Sequence, residues 1–114
     1  MIHVIATVEL VAGSQENFLR EFQLVRPKVL AEAGCLEYGA AVDLPTGLEA
    51  QTAPRPDVVT IVEKWADLDA LRAHLTAPHM LEYRPRVKEF VRSVRLTVLK
   101  PVQAAEVRPA ASAG

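Results

Sequence analysis

The sequence holds a single cysteine, Cys35, among its 114 residues. No internal disulfide is possible, nothing marks an oxidising compartment, and the cytoplasm is the default expectation. Neither sign of charge is in excess, with 13 basic against 14 acidic residues. No basic tract is interleaved with aromatics, so a nucleic acid binder driven by phosphate neutralisation is not expected. No apolar run approaches the length that spans a bilayer, and the start, Met1 to Ala6, lacks a basic n-region. Neither membrane insertion nor secretion is expected. The length suits one domain, small enough that a second copy would help to cover apolar surface.

What is present is concentrated between Val58 and Met80. Residues Val58 to Trp65 are largely β-branched and suit a buried strand. Alternation puts Val59, Ile61, Glu63 and Trp65 on one face, so a carboxylate and an indole point the same way. Asp67 supplies a helix N-cap, Asp69 adds charge to the first turn, and the helix carries His74. After a break at Pro78 a helical segment restarts, with His79 in its first turn and a stripe of Met80, Tyr83, Val87 and Phe90. Arg84, Arg86, Lys88 and Arg92 are expected mainly on its solvated side.

Elsewhere, Ile2, Val4, Ala6, Val8 and Leu10 alternate with more polar positions and predict a first strand. Gly13-Ser14 ends it, and Phe18, Phe22, Val25 and Val29 predict an amphipathic helix that stops at Gly34. Pro27 inside that pattern should kink or divide it. Cys35 to Val42 predicts a second strand with Leu36, Tyr38, Ala40 and Val42 on one side. Residues 43–57, with three prolines and no period, predict a long connection. Val94, Leu96 and Val98 belong to a last strand, and Gln103 to Gly114 reads as a disordered tail after a domain of residues 1–102.

This order, β-α-β-β-α-β, is the ferredoxin-like α+β arrangement, a four-stranded antiparallel sheet with its helices on one face. The other face, with Ile5, Val11, Thr60 and Val62, carries too little polar surface to stay wet. A homodimer joined through that face is the expectation.

The residues then resemble the antibiotic biosynthesis monooxygenase domain of the dimeric α/β barrel superfamily over about residues 1–102. The resemblance rests on Ala33-Gly34-Cys35-Leu36 with Tyr38, on Glu63-Lys64-Trp65, and on Ala73-His74-Leu75 with Pro78-His79-Met80. It implies a homodimeric α/β barrel with a cavity between sheet and helices in each subunit. It also implies oxidation of a hydroquinone-like or polyphenolic small molecule by O2 with no cofactor, neither flavin nor metal. The haem-degrading relatives carry an asparagine in the first strand and a histidine late in the last helix. Here those places hold Ala6 or Thr7 and Tyr83 or Arg84, which sets this chain apart from them. The family also includes a sugar phosphate isomerase and members with no known reaction. An isomerase of a small phosphorylated ketone and a non-catalytic small-molecule binding or stress-response module therefore stand beside the oxygenase reading.

Oxygenation without a cofactor needs a base for the phenol, a dry cavity for O2 and hydrogen bonds to the developing oxyanion. His79 and His74 are the candidate bases, since imidazole titrates near neutral pH. His79 ranks first because first-turn amides favour its neutral form. Each could instead cap a helix end or pack at an interface. Glu63 is the third catalytic candidate if burial raises its pKa, the alternative being an ion pair with an arginine. Trp65 reads as a pocket wall and indole donor or as a core anchor. Tyr38 and Tyr83 are candidate hydrogen-bonding partners of a substrate, and Arg84 or Arg86 could hold an anionic group. Cys35 reads as a small buried hydrophobe. His3, His74 and His79 lack the i, i+4 spacing of a helical metal pair, so no metal site is expected.

Overall fold

The computed structural model describes residues 1–102; the expected tail, Gln103 to Gly114, lies outside them. The chain forms β1 (Ile2–Leu10), α1 (Gln15–Leu30), β2 (Cys35–Val42), β3 (Val58–Trp65), α2 (Leu68–Leu75), α3 (Pro78–Val87) and β4 (Val91–Leu99). All pairings are antiparallel, in the order β2-β3-β1-β4. This is the ferredoxin-like arrangement, with its second helix divided in two at Pro78.

Strand periodicity sets the core. Val4, Ala6, Val8 and Leu10 of β1 are buried, and register places them beside Glu63, Ile61 and Val59 of β3. Onto this face α1 lays Phe18, Phe22, Val25 and Val29. The inward row of β4, Val94, Leu96 and Val98, pairs with Val8, Ala6 and Val4 yet is about half exposed. The layer of helices therefore stops short of this edge and leaves a mouth there.

Four local features differ from the sequence reading. Pro27 does not divide α1, because it stands in the last turn, where losing one backbone donor breaks little. The helix ends at Leu30 rather than Gly34, and residues 31–34 make a turn instead. In β2 the register slips between Cys35 and Glu37, so Leu36 is exposed while Tyr38 keeps its inward place. Phe90, expected in the stripe of α3, lies past its end; its amide donates to the Val87 carbonyl and its side chain packs on the core. Asp67 caps α2 as expected, accepting from the Ala70 amide at 2.8 Å. The 43–57 connection is closed at its base by a two-pronged ion pair of Arg55 with Asp43, at 2.8 and 2.9 Å.

Gly34 ends the turn with φ of +81°, and its amide plane is held where the Ala66 amide donates to its carbonyl at 2.8 Å. A β-carbon there would lie 2.7 Å from Cβ of Ala70, whereas one at Gly13, with the same φ, would meet open space. Left-handed backbone alone costs a non-glycine residue about 1 kcal/mol or more. Gly13→Ala should therefore lower the melting temperature by roughly 4 to 8 °C, and Gly34→Ala by clearly more. Paired thermal melts of the two variants check this.

Candidate active site

Between the sheet and the helices lies a cavity of about 780 Å³ that opens toward β4. Its walls are largely apolar: Ala6 and Val8 of β1, Ile61 of β3, Phe18 of α1, Val94 and Leu96 of β4, and Met80, Leu81 and Val87 of α3 and its flank. Polar groups interrupt this lining at Tyr38, Glu63, His74 and Tyr83, with Arg84 and Lys88 farther along α3.

Glu63 is held inside by strand parity. Val62 and Lys64 take the outer face, so the carboxyl between them must face the helices. It is 96% buried, since only 4% of its surface is exposed. Trp65 is wholly buried and donates its indole Nε1–H to Glu63 Oε1 at 2.9 Å. Burial dominates the electrostatics and pushes Glu63 up to about 7; the indole hydrogen bond pulls the other way, and the nearby charge of Glu32 adds to the rise. Among the described residues no arginine pairs with Glu63; an indole fills that role.

His74 is carried inward by α2 and is almost fully buried. Its ring lies against Trp65, with centroids 4.7 Å apart, and meets the edge of Tyr38 at 5.4 Å. Tyr38 in turn stacks on Phe22 at 5.3 Å. His74 Nδ1 is 2.9 Å from Glu32 Oε2, and His79 Nε2 is 2.7 Å from the same oxygen. An ionised carboxylate can only accept, so both facing nitrogens carry protons. His74 is thus the Nδ1–H tautomer, with the lone pair of Nε2 left for the cavity side. Burial lowers its pKa, against the opposing pull of Glu32, and so favours the neutral ring.

The remaining expected residues sort plainly. His79 does not line the cavity but reaches it through Glu32. Trp65 stands behind Glu63, as a core anchor that holds the carboxyl, rather than on the wall. The two therefore do not share one open space with Glu63: a fully buried indole fills the strand end, and the first turn of α3 points its imidazole back at the α1–β2 turn. Tyr83 lines the cavity with its ring, while its hydroxyl is buried without a partner; burial and Glu21 of α1 both raise its pKa. Arg84 lines the mouth and donates to the Leu75 carbonyl at 2.6 Å. Burial and Glu32 push the Cys35 thiol up, away from nucleophilic character.

Glu32 itself was not among the residues picked out from sequence. A signal for it exists: an acidic residue just past the C-terminal turn of a helix faces the carbonyl end of the dipole, an unfavourable place that calls for a partner. Among the described residues, no three His, Cys, Asp or Glu side chains are placed to hold a metal ion, and no helix is long and apolar enough to cross a membrane.

A carboxyl that titrates higher in the fold than in the unfolded chain binds an extra proton when folded. Its stabilising contribution is complete below about pH 4.5 and is lost as pH rises through about 7. The loss is on the order of 3 kcal/mol. Glu63→Gln should remove this decline, so denaturant curves of wild type and variant between pH 5 and 8 should diverge, with the wild type losing relative stability as pH rises. Trp65→Phe keeps the apolar ring but deletes the donor. It should raise the Glu63 pKa further, read by carboxyl-carbon NMR titration.

A family model for antibiotic biosynthesis monooxygenases matches residues 1–86. YgiN of Escherichia coli K12, described as a probable quinol monooxygenase, is 34% identical over 103 residues, which cover 89% of this chain and 98% of that protein. Among solved structures, Rv0793 of Mycobacterium tuberculosis superposes with a TM-score of 0.73 at 25% identity, over 91% of this chain and 97% of that one. PA3566 of Pseudomonas aeruginosa, at 24% identity, gives 0.72 over 90% and 94% and supports the fold alone. With its ferredoxin-like sheet, its cavity under the helices and a family match over most of its described length, the chain belongs to the antibiotic biosynthesis monooxygenase family.

Proposed function

We propose that this protein is a cofactor-independent monooxygenase of a hydroquinone-like phenol, with His74 as the base. The observation that carries the reading is an imidazole, with its Nδ1 2.9 Å from the Glu32 carboxylate, lining the same largely apolar cavity as the buried carboxyl of Glu63. A quinol hydroxyl placed at His74 Nε2 loses its proton there, and the phenolate becomes electron-rich enough to reduce O2. The electron passes in a cavity with little water, and the radical pair combines at a ring carbon. His74 returns its proton to the peroxide formed on that carbon, and Glu63, protonated at or below neutral pH, donates a hydrogen bond to the outer oxygen. The O–O bond breaks as the C–H proton of the same carbon is lost, and the outer oxygen leaves as water. A quinol and O2 give a hydroxyquinone and water: one oxygen atom enters the ring, the other leaves as water, and all four electrons come from the substrate.

Two alternatives fit less well. A phosphorylated ketone would meet the Glu63 carboxyl on the wall, and Arg84, the arginine in the cavity lining, already donates to a backbone carbonyl. A non-catalytic small-molecule binding or stress-response module would be favoured by a collapsed cavity, whereas this one is open and carries an imidazole and a carboxyl on its wall. As the quaternary part of the same proposal, two copies pair through the outer face of the sheet, where Ile5 and Val62 lie side by side. Light scattering that reads a dimer supports this part, and a monomer at micromolar concentration removes it.

Oxygen uptake by the purified protein, measured against a panel of quinols and anthrones with chelator present and flavin absent, tests the reaction. One O2 should disappear per quinol, with one labelled oxygen atom in the product. His74→Ala should lower turnover on the order of a hundredfold or more. The wild-type rate should fall above about pH 7 as Glu63 ionises, and Glu63→Gln should flatten that limb. Absence of uptake with every quinol, together with turnover of a phosphorylated ketone, would pass the site to the isomerase reading.

A further inference from the structure

Two histidines meet one oxygen of one carboxylate, and only one of the two lines the cavity. The shared residue, Glu32, stands in the turn after α1, which ends on the left-handed Gly34 packed against Ala70. Nothing about helix stability asks for a carboxylate there, because the free carbonyls at the end of α1 repel it. Its side chain is nonetheless 88% buried, with 12% exposed, and lies 2.9 and 2.7 Å from its two partners. Such a placement has to be maintained by what the carboxylate holds.

We infer that Glu32 is the positioning residue of the cavity base, and that His79 is a second anchor which fixes Glu32 rather than a base in its own right. The inference rests on the reading of His74 as the base. Three consequences follow from the geometry. Glu32 can accept only N–H groups, so it selects the tautomer of His74 that turns a bare Nε2 to the cavity. It also faces the imidazolium that forms when that nitrogen takes a proton, and so stabilises it. A carboxylate held by one hydrogen bond could swing; the second, from His79 in the first turn of α3, sets the angle at which Oε2 meets His74. The helix on the far side of Pro78 thereby becomes part of the support of the base on α2. The other groups around His74 are Arg84 from α3, Tyr38 from β2 and Trp65 from β3. The hydrogen bond of Nδ1 goes to Glu32.

Histidine ring-nitrogen NMR on uniformly labelled protein tests this without substrate. In the wild type His74 should be protonated at Nδ1 and bare at Nε2. Glu32→Leu removes the acceptor that both rings share, whereas Glu32→Gln can keep both hydrogen bonds through the two lone pairs of its amide oxygen and loses only the charge. The leucine variant is therefore the one that reads the tautomer. In it the His74 tautomer should become mixed or reversed, and its pKa should fall as the stabilising charge is lost. In oxygen uptake, Glu32→Gln should lower kcat on the order of ten- to a hundredfold with KM little changed. His79→Ala should lower kcat by less, and His79→Gln, whose amide still donates to Glu32, should restore most of the loss. A simply structural role would lower the melting temperature and leave the tautomer alone. That result, a wild-type His74 protonated at Nε2, or an undiminished kcat in Glu32→Gln overturns the inference. If the wild type oxidises no quinol, the proposed reaction fails, and the NMR result still decides whether Glu32 positions His74.

Discussion

The inward direction of Glu63 is the constraint on which the site depends. A strand that alternates Val59, Ile61, Glu63 and Trp65 toward one layer of helices has no means of turning only the carboxyl outward. The fold meets this demand locally. Trp65, two residues on and on the same face, supplies the one hydrogen bond that a side chain deep in the core can give. The same indole lies against His74. One aromatic residue therefore ties the strand that carries the carboxyl to the helix that carries the imidazole. The polar groups of the cavity rest on this contact, and the apolar row of β1 beneath them supplies the low dielectric that shifts their pKa values.

Much of this could be read from the residues. Period-two runs in β1 and β3 are strong signals because both strands lie in the middle of the sheet, with one face pressed on helices. The break at Pro78 and the cap at Asp67 follow from backbone chemistry that depends on one or two residues. Glu63 was legible for the same reason, since parity alone decides its side. The resemblance to a family located the cavity between sheet and helices.

What could not be read depends on meetings between distant segments. Glu32 is 42 residues from His74 and 47 from His79, and it lies in a turn without a period. Its partners are fixed only when α1, α2 and α3 pack on the sheet. The same holds for the order of the histidines: position in a first turn favoured His79, but the direction in which α3 leaves Pro78 aims that ring at Glu32 and not at the cavity. In β2 an irregular register moved Leu36 off the core face, and a bulge of one residue leaves no mark in composition. Pro27 fell in a last turn, where its effect is small, because the helix ends at Leu30 and not at Gly34.

The cavity wall is divided between two kinds of support. Glu63 and His74 are held by the sheet and by α2, whereas Met80, Leu81, Tyr83, Arg84, Pro85 and Val87 all belong to α3. That helix begins afresh at a proline and ends before β4. Evolution or design could thus rewrite one side of the cavity within a ten-residue segment, provided its first turn keeps His79. On the proposed reaction, the helix that shapes the pocket is separate from the strand and helix that do the chemistry, and the hydrogen bonds of His79 to Glu32 and of Arg84 to the Leu75 carbonyl are the seam where the two are joined.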